Sequence, residues 1–204
     1  MEEKEIYIIE KARELFMKYG IKSVSMDDIS HQLGISKKTL YQYFKDKADF
    51  VYKVVTTFSC EHDKRMSSIL ESEMNAIELL LLVSKHTLEM LRSLHPPLLF
   101  DLRKYYPELT KELIISKKSD VFNKVKSNLL KGIEEGFYRD DLNPDIIASL
   151  YIKRLDDVFF ENEAYAKDFP QHEVFKQLFI YHLRGIVSSK GLKYLETKMN
   201  IDSI

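Results

Sequence analysis

Apolar positions recur with a helical period along almost the whole chain. Ile8, Ala12, Leu15, Phe16 and Tyr19 fall at i, i+4, i+7, i+8 and i+11, one face of a helix that Gly20 stops. Met26, Ile29 and Leu33 form a shorter stripe, opened by a Ser25-x-x-Asp28 cap signature and closed by Gly34. Ser36 caps a third short helix that turns Leu40 and Phe44 inward. Asp46 with Asp49 repeats the cap for a fourth helix, which Phe50, Val54 and Phe58 carry past Arg65. From about residue 75 the pattern changes to long elements. Helices are expected near 75–94, 98–105, 108–135, 144–162 and 172–189, with a short tail helix near 191–199. Pro97, Pro107, Pro144 and Pro170 stand near the starts, and Gly136 lies just beyond an end. The expected fold is all-α, with a three-helix N-terminal domain over residues 1–47. A long helix joins it to a second helical domain over residues 48–204.

Composition fits that reading. Of 204 residues, 45% are apolar, enough for a packed core, while six Gly and five Pro are too few for a turn-rich β fold. The single cysteine, Cys60, has no partner for an intramolecular disulfide and reads as a small core residue. The N-terminus lacks the basic-then-apolar pattern of a secretion signal. The longest apolar run, Leu79 to Val83, is too short to cross a bilayer and reads as buried helix. No membrane contact and a cytoplasmic location are expected.

Catalytic chemistry has no foothold in the pattern. His62, His86, His95, His172 and His182 make no i, i+4 pair with one another or with Cys60, so no metal is expected. A nucleophile, base and oxyanion set, a Gly-rich phosphate loop and paired acids at motif spacing are all missing, so neither an enzyme nor a cofactor is expected.

Charge becomes informative only locally. The net charge is −1, yet residues 37–47 hold four lysines, Lys37, Lys38, Lys45 and Lys47, against Asp46 alone. This basic stretch lies on and just after the second of two short helices separated by Leu33-Gly34-Ile35-Ser36, the proportions of a helix-turn-helix whose second helix enters the major groove of DNA. That helix exposes Lys37, Lys38, Thr39, Gln42 and Tyr43. Tyr41 and Phe44 read from the pattern as packing residues.

The stretch Ile8-Ile9-Glu10-Lys11-Ala12-Arg13-Glu14-Leu15-Phe16, then Ser25-Met26-Asp27-Asp28-Ile29, then Leu33 through Lys47 with its Thr39-Leu40-Tyr41-x-x-Phe44-x-x-Lys47 core, closely resembles the N-terminal domain of tetracycline-repressor (TetR) family regulators. The resemblance implies that Ser25, Lys37, Lys38, Thr39, Tyr41, Gln42, Tyr43 and Lys47, with the cap residue Ser36, touch DNA or lie close to it. It further implies a homodimer on a palindromic double-stranded operator, and a C-terminal domain that binds a small effector and releases the DNA.

Beyond residue 60 the resemblance is one of architecture, with a weak echo in Gly132-Ile-Glu-Glu-Gly-Phe-Tyr-Arg-Asp-Asp141. It places a dimer interface on the helices near 144–162 and 172–189, with Ile147, Leu150, Tyr151, Val158, Val174, Leu178, Tyr181 and Gly185 as candidates. The residues support this independently. Phe175, Phe179, His182 and Ile186 form one stripe of the last long helix, and Val174, Leu178, Tyr181 and Gly185 form another, so the helix needs two partners. Leu82, Phe100, Tyr105, Phe122 and Phe137 either line an effector cavity or fill a core, and for any one of them core is the stronger reading. Few polar anchors accompany them, which leans toward a lipophilic effector. Two other readings stay open: a helical protein that binds DNA without sequence preference or effector, and a helical binding protein or hydrolase with a scattered site.

Overall fold

The computed structural model describes residues 3–93, 96–159 and 169–198. Over these the chain is helical: α1 (Glu3–Tyr19), α2 (Met26–Gln32), α3 (Lys37–Tyr43), α4 (Lys47–Leu70), α5 (Ala76–Ser93), α6 (Pro96–Tyr105), α7 (Pro107–Glu134), α8 (Pro144–Phe159), α9 (Gln171–Ile186) and α10 (Ser189–Lys198). Tyr138 and Val187 form an isolated antiparallel bridge. The expected helices are present, displaced by a few residues at their ends. Residues 94, 160–162 and 199, at the ends of three of them, lie outside the described residues, as does His95.

The chain divides into two compact units, Met1–Ser67 with Ser93–Leu113, and Ser68–Arg92 with Ile114–Ile204. The first is larger than residues 1–47, and its core explains why. Ile8, Ile9, Ala12 and Phe16 of α1 pack with Ile29, Leu40 and Phe44, but also with Phe50, Val51 and Val54 of α4, Leu98 of α6 and Leu109 of α7. Phe50 sits edge-on between Phe16 and Phe44, with ring centroids 6.0 and 4.2 Å away. Three short helices cannot bury that much apolar surface alone, so the first turns of α4 complete the domain. Cys60, expected in the core, is exposed, because α4 turns Phe50, Val51 and Val54 inward and position 60 falls off that stripe.

In the second unit, the Gly132-to-Asp141 segment closes α7 against α5. Gly132 carries no side chain because the ring of Tyr138 occupies the space: a Cβ there would lie 2.0 Å from Tyr138 Cδ2. The amides of Phe137 and Tyr138 both donate to the Gly132 carbonyl at 2.9 Å. The buried Tyr138 hydroxyl lies 3.0 Å from Asn128 Oδ1 and 3.1 Å from the Ala76 carbonyl, which also accepts from Asn128 Nδ2 at 2.9 Å. Every polar atom of this buried knot therefore has a partner.

Helices α8 and α9 pack on each other. Ala148, Tyr151, Ile152 and Val158 of α8 and Phe175, Phe179, Leu183 and Ile186 of α9 are buried. Tyr151 stacks on the half-buried His182 with ring centroids 4.0 Å apart. Two of the expected interface residues, Tyr151 and Val158, therefore face their own core, since they share the helical stripe of Ala148 and Ile152.

Candidate nucleic-acid interface

The helix-turn-helix is built by local bonds that the sequence encodes. Ser25 caps α2 with a full capping box: the Asp28 amide donates to Ser25 Oγ at 3.1 Å, and the Ser25 amide donates to Asp28 Oδ2 at 2.8 Å. Hydrogen bonds from the Ser25 hydroxyl and amide hold the Asp28 carboxyl below its ordinary value. Gly34 takes φ +64°, a left-handed backbone that only glycine adopts at low cost, and the Ile35 amide returns to the Ser30 carbonyl at 3.0 Å. Ser30 is buried there and satisfies its hydroxyl on the Asp27 carbonyl at 2.9 Å. Ser36 then caps α3, accepting from the Thr39 amide at 3.0 Å with the two hydroxyls 2.8 Å apart.

With Leu40 and Phe44 buried at i and i+4, the opposite face of α3 is turned out. Lys37, Lys38, Tyr41 and Gln42 are exposed, while Thr39 and Tyr43 are half-buried. Tyr41 and Phe44 thus part company: Phe44 is core, and Tyr41 is 45% exposed among the polar residues. The local excess of positive charge is partly offset, because Lys37 pairs with Asp27 of α2 at 2.8 Å.

Lys47, the first residue of α4, behaves differently from the rest. Its ammonium donates to the Ile21 carbonyl at 2.8 Å and reaches the Lys22 carbonyl at 3.5 Å. Burial lowers its pKa, while the charges of Asp101 and Asp28 raise it. Asp101 of α6 is only 6% exposed, and its carboxylate accepts from the Lys22 amide at 2.8 Å. Tyr105, one turn further on, has the Lys22 ammonium 5.1 Å from its ring centre. Asp101 was not among the residues singled out from sequence. The signal was a lone acid on a helical stripe with Leu98 and Leu102, where an apolar residue is usual.

The five expected sensor residues do not come together in one unit. Phe100 and Tyr105 belong to the first unit, exposed beneath the Lys104 ammonium, 5.2 and 5.5 Å from their ring centres. In the second unit Phe137 packs on Tyr194 of α10, with ring centroids 5.0 Å apart, and Leu82 is half-buried on α5. Phe122 lines a groove of about 460 Å³ between α7 and α8, with Ile115, Ser119, Ile152 and Ser149, and with Lys118 and Lys153 among its lining. Among the described residues no helix is long and apolar enough to cross a membrane, and no group of three or more His, Cys, Asp or Glu side chains is placed to hold a metal ion.

Comparison with known proteins agrees with this geometry. Residues 8–53 match the family model for bacterial regulatory proteins of the tetR family. The chain is similar to an HTH-type transcriptional regulator of Staphylococcus aureus (strain USA300), 46% identical over 48 residues, which are 24% of this chain and 26% of that protein. The chain thus matches about a quarter of the length of this curated relative. The fold extends further. A TetR-family transcriptional regulator from Agrobacterium tumefaciens superposes with a TM-score of 0.68 at 19% identity, covering 91% of this chain and 98% of that one. The regulator FadR from Bacillus subtilis, in complex with stearoyl-CoA, gives a TM-score of 0.60 at 18% identity, covering 89% and 98%. The tetR-family match thus falls on the segment that forms the helix-turn-helix, and over the rest of the chain the likeness to these solved regulators is one of fold.

Proposed function

We propose that the chain is a ligand-responsive transcriptional regulator that binds a palindromic DNA operator as a homodimer and releases it when a small effector binds the second unit. The outward face of α3 carries this reading. Lys37, Lys38, Tyr41 and Gln42 project from a helix fixed at both ends, beside the hydroxyls of Ser25, Ser36, Thr39 and Tyr43. That is the residue chemistry of a recognition helix: lysines and hydroxyls for phosphates, and a glutamine able to pair bidentately with adenine.

A second copy of the chain is the partner best suited to the outer face of α8 and α9. There Ile146, Leu150 and Tyr181 are 57%, 60% and 81% exposed, flanked by half-buried Ile147, Val174 and Leu178. Gly185 lies on the same side with open space around it. Large apolar side chains exposed together in this way are rarely left in water, and a twofold pairing covers them with their own copies. Each monomer then supplies one recognition helix to one half-site.

The effector read here is a small lipophilic molecule. The apolar residues Ile115, Phe122 and Ile152 in the lining of the α7–α8 groove support that class, and so does the stearoyl-CoA bound by the structurally similar FadR. Selection of duplexes from a random-sequence pool by the full chain tests the main claim. Enrichment of one inverted repeat, its half-sites about one helical turn or a multiple apart, is the expected result. A pool that stays unenriched while the protein still retains DNA would make this a non-specific binder.

A further inference from the structure

We propose that Asp101 and Lys47 form one positioning pair for operator binding: they hold the Ile21–Lys22 peptide group from opposite sides and so brace both ends of the helix-turn-helix. The inference rests on the DNA-binding reading above, and it concerns two residues that need not touch DNA.

The geometry is specific. Lys47 Nζ donates to the Ile21 carbonyl at 2.8 Å, and the next amide, Lys22 N–H, donates to Asp101 Oδ2 at 2.8 Å. The carbonyl and the amide belong to a single peptide group, and no peptide bond among the described residues is cis. In a trans peptide these two groups point in opposite directions, so an ammonium and a carboxylate lie at the two ends of one peptide dipole. Both bonds are charge-assisted, and each polarises the peptide in the sense that strengthens the other. A carboxylate as buried as Asp101 is costly unless it is compensated. Here the amide, the Lys47 charge beyond it and the neighbouring Lys22 side chain supply the compensation.

The position of the peptide gives the pair its role. Residues 21 and 22 lead directly into the Ser25 cap of α2, and Lys47 is the first residue after the turn that follows α3. The Lys47 bond therefore joins the two ends of the segment that contains α2, the turn and α3. Asp101 fixes that junction to α6. Without the brace, the caps at Ser25 and Ser36 still form, but the segment that carries α3 is anchored at fewer points.

A double-mutant cycle in the full chain, on the duplex that the unmodified chain selects from a random pool, tests the pair. Asp101→Asn and Lys47→Met should each weaken binding by about tenfold or more, the usual size for a charged hydrogen bond, and the double variant should lose little beyond either single one. The salt dependence of Lys47→Met should match that of the unmodified protein, since no phosphate contact is lost. Hydrogen exchange at the Lys22 amide, measured without DNA, should quicken in both single variants while core amides of α5 and α9 keep their rates. Losses that multiply in the double variant, a salt slope reduced by about one in Lys47→Met, or an unchanged Lys22 amide would each overturn the proposal. If Asp101→Asn does not fold, the Lys47→Met exchange rate at Lys22 still decides. Failure to select any duplex would instead count against the DNA-binding reading, with the exchange measurement continuing to read the brace.

Discussion

The Lys47 ammonium and the Asp101 carboxylate bind opposite ends of the same peptide group, at 2.8 Å each. Lys47 is therefore engaged with the protein's own backbone, and Lys37 is engaged with Asp27. Among the lysines of residues 37–47, Lys38 is the exposed one on α3 itself with no ion pair of its own among the described residues. Lys38→Ala should weaken binding to every duplex alike and reduce the salt slope by about one. Titrations at several salt concentrations check it; a change of base preference at constant slope would give Lys38 a different role.

Gln42, exposed on the same face, should do the converse. Gln42→Ala is expected to leave the salt slope alone and to cost about 1–3 kcal/mol at one base position of each half-site. Repeating the pool selection with the variant should then give a motif relaxed at that position, and an unchanged motif would remove Gln42 from base reading.

Much of this was legible along the chain, because its signals are local. Caps, glycines and a period near 3.6 depend on residues within a few positions of one another, so Ser25, Gly34 and Ser36 could be assigned from sequence. The roles of Lys47 and Asp101 were hidden because their partners are main-chain atoms of a loop, and a carbonyl or an amide has no letter of its own. That Tyr151 and Val158 are buried within a single copy was hidden for a related reason. A helix with two apolar sides does not say which side its own chain covers until α9 is packed against it. Phe100 and Tyr105 were grouped with Phe122 as aromatics, although α6 contributes to the first unit.

Gly132→Ala should be among the most damaging small changes in the second unit. A methyl group there meets the Tyr138 ring at 2.0 Å, and that ring is fixed by its hydroxyl bonds to Ala76 and Asn128. Overpacking of this kind costs about 1–3 kcal/mol or more. Denaturant unfolding of Gly132→Ala, with the Gly132→Ala/Tyr138→Ala double variant as a control for relieved crowding, checks it. Equal stability of Gly132→Ala and the unmodified chain would contradict it.

His182 should make stability depend on pH. Stacked on Tyr151 and desolvated between α8 and α9, its imidazole is pushed down from 6.5 to about 4 by burial. The unfolded chain therefore takes up a proton near pH 6.5 that the folded chain refuses until near pH 4. The stabilisation is complete above the unfolded value and declines as pH falls through this window, by about 2 kcal/mol between pH 7 and pH 5. His182→Phe should flatten that part of the stability curve; a curve identical to the unmodified protein's would contradict it.

If two copies pair through α8 and α9 as proposed, Leu150→Glu should separate them without unfolding the chain. Leu150 is 60% exposed in a single copy, so a carboxylate is tolerated there until a second copy covers it, where an unpaired charge costs several kcal/mol. Sedimentation should show a folded monomer with sharply reduced operator affinity, and a variant that stays dimeric would move the interface elsewhere.

The most direct test compares two titrations of the unmodified chain at one fixed, stated salt concentration, on the selected inverted repeat and on a scrambled duplex of the same length and composition. A sequence-specific regulator should bind the repeat at least about a thousandfold more tightly, with one dimer per repeat. Equal affinity for the two duplexes, governed by salt alone, would contradict the reading of α3 as a recognition helix.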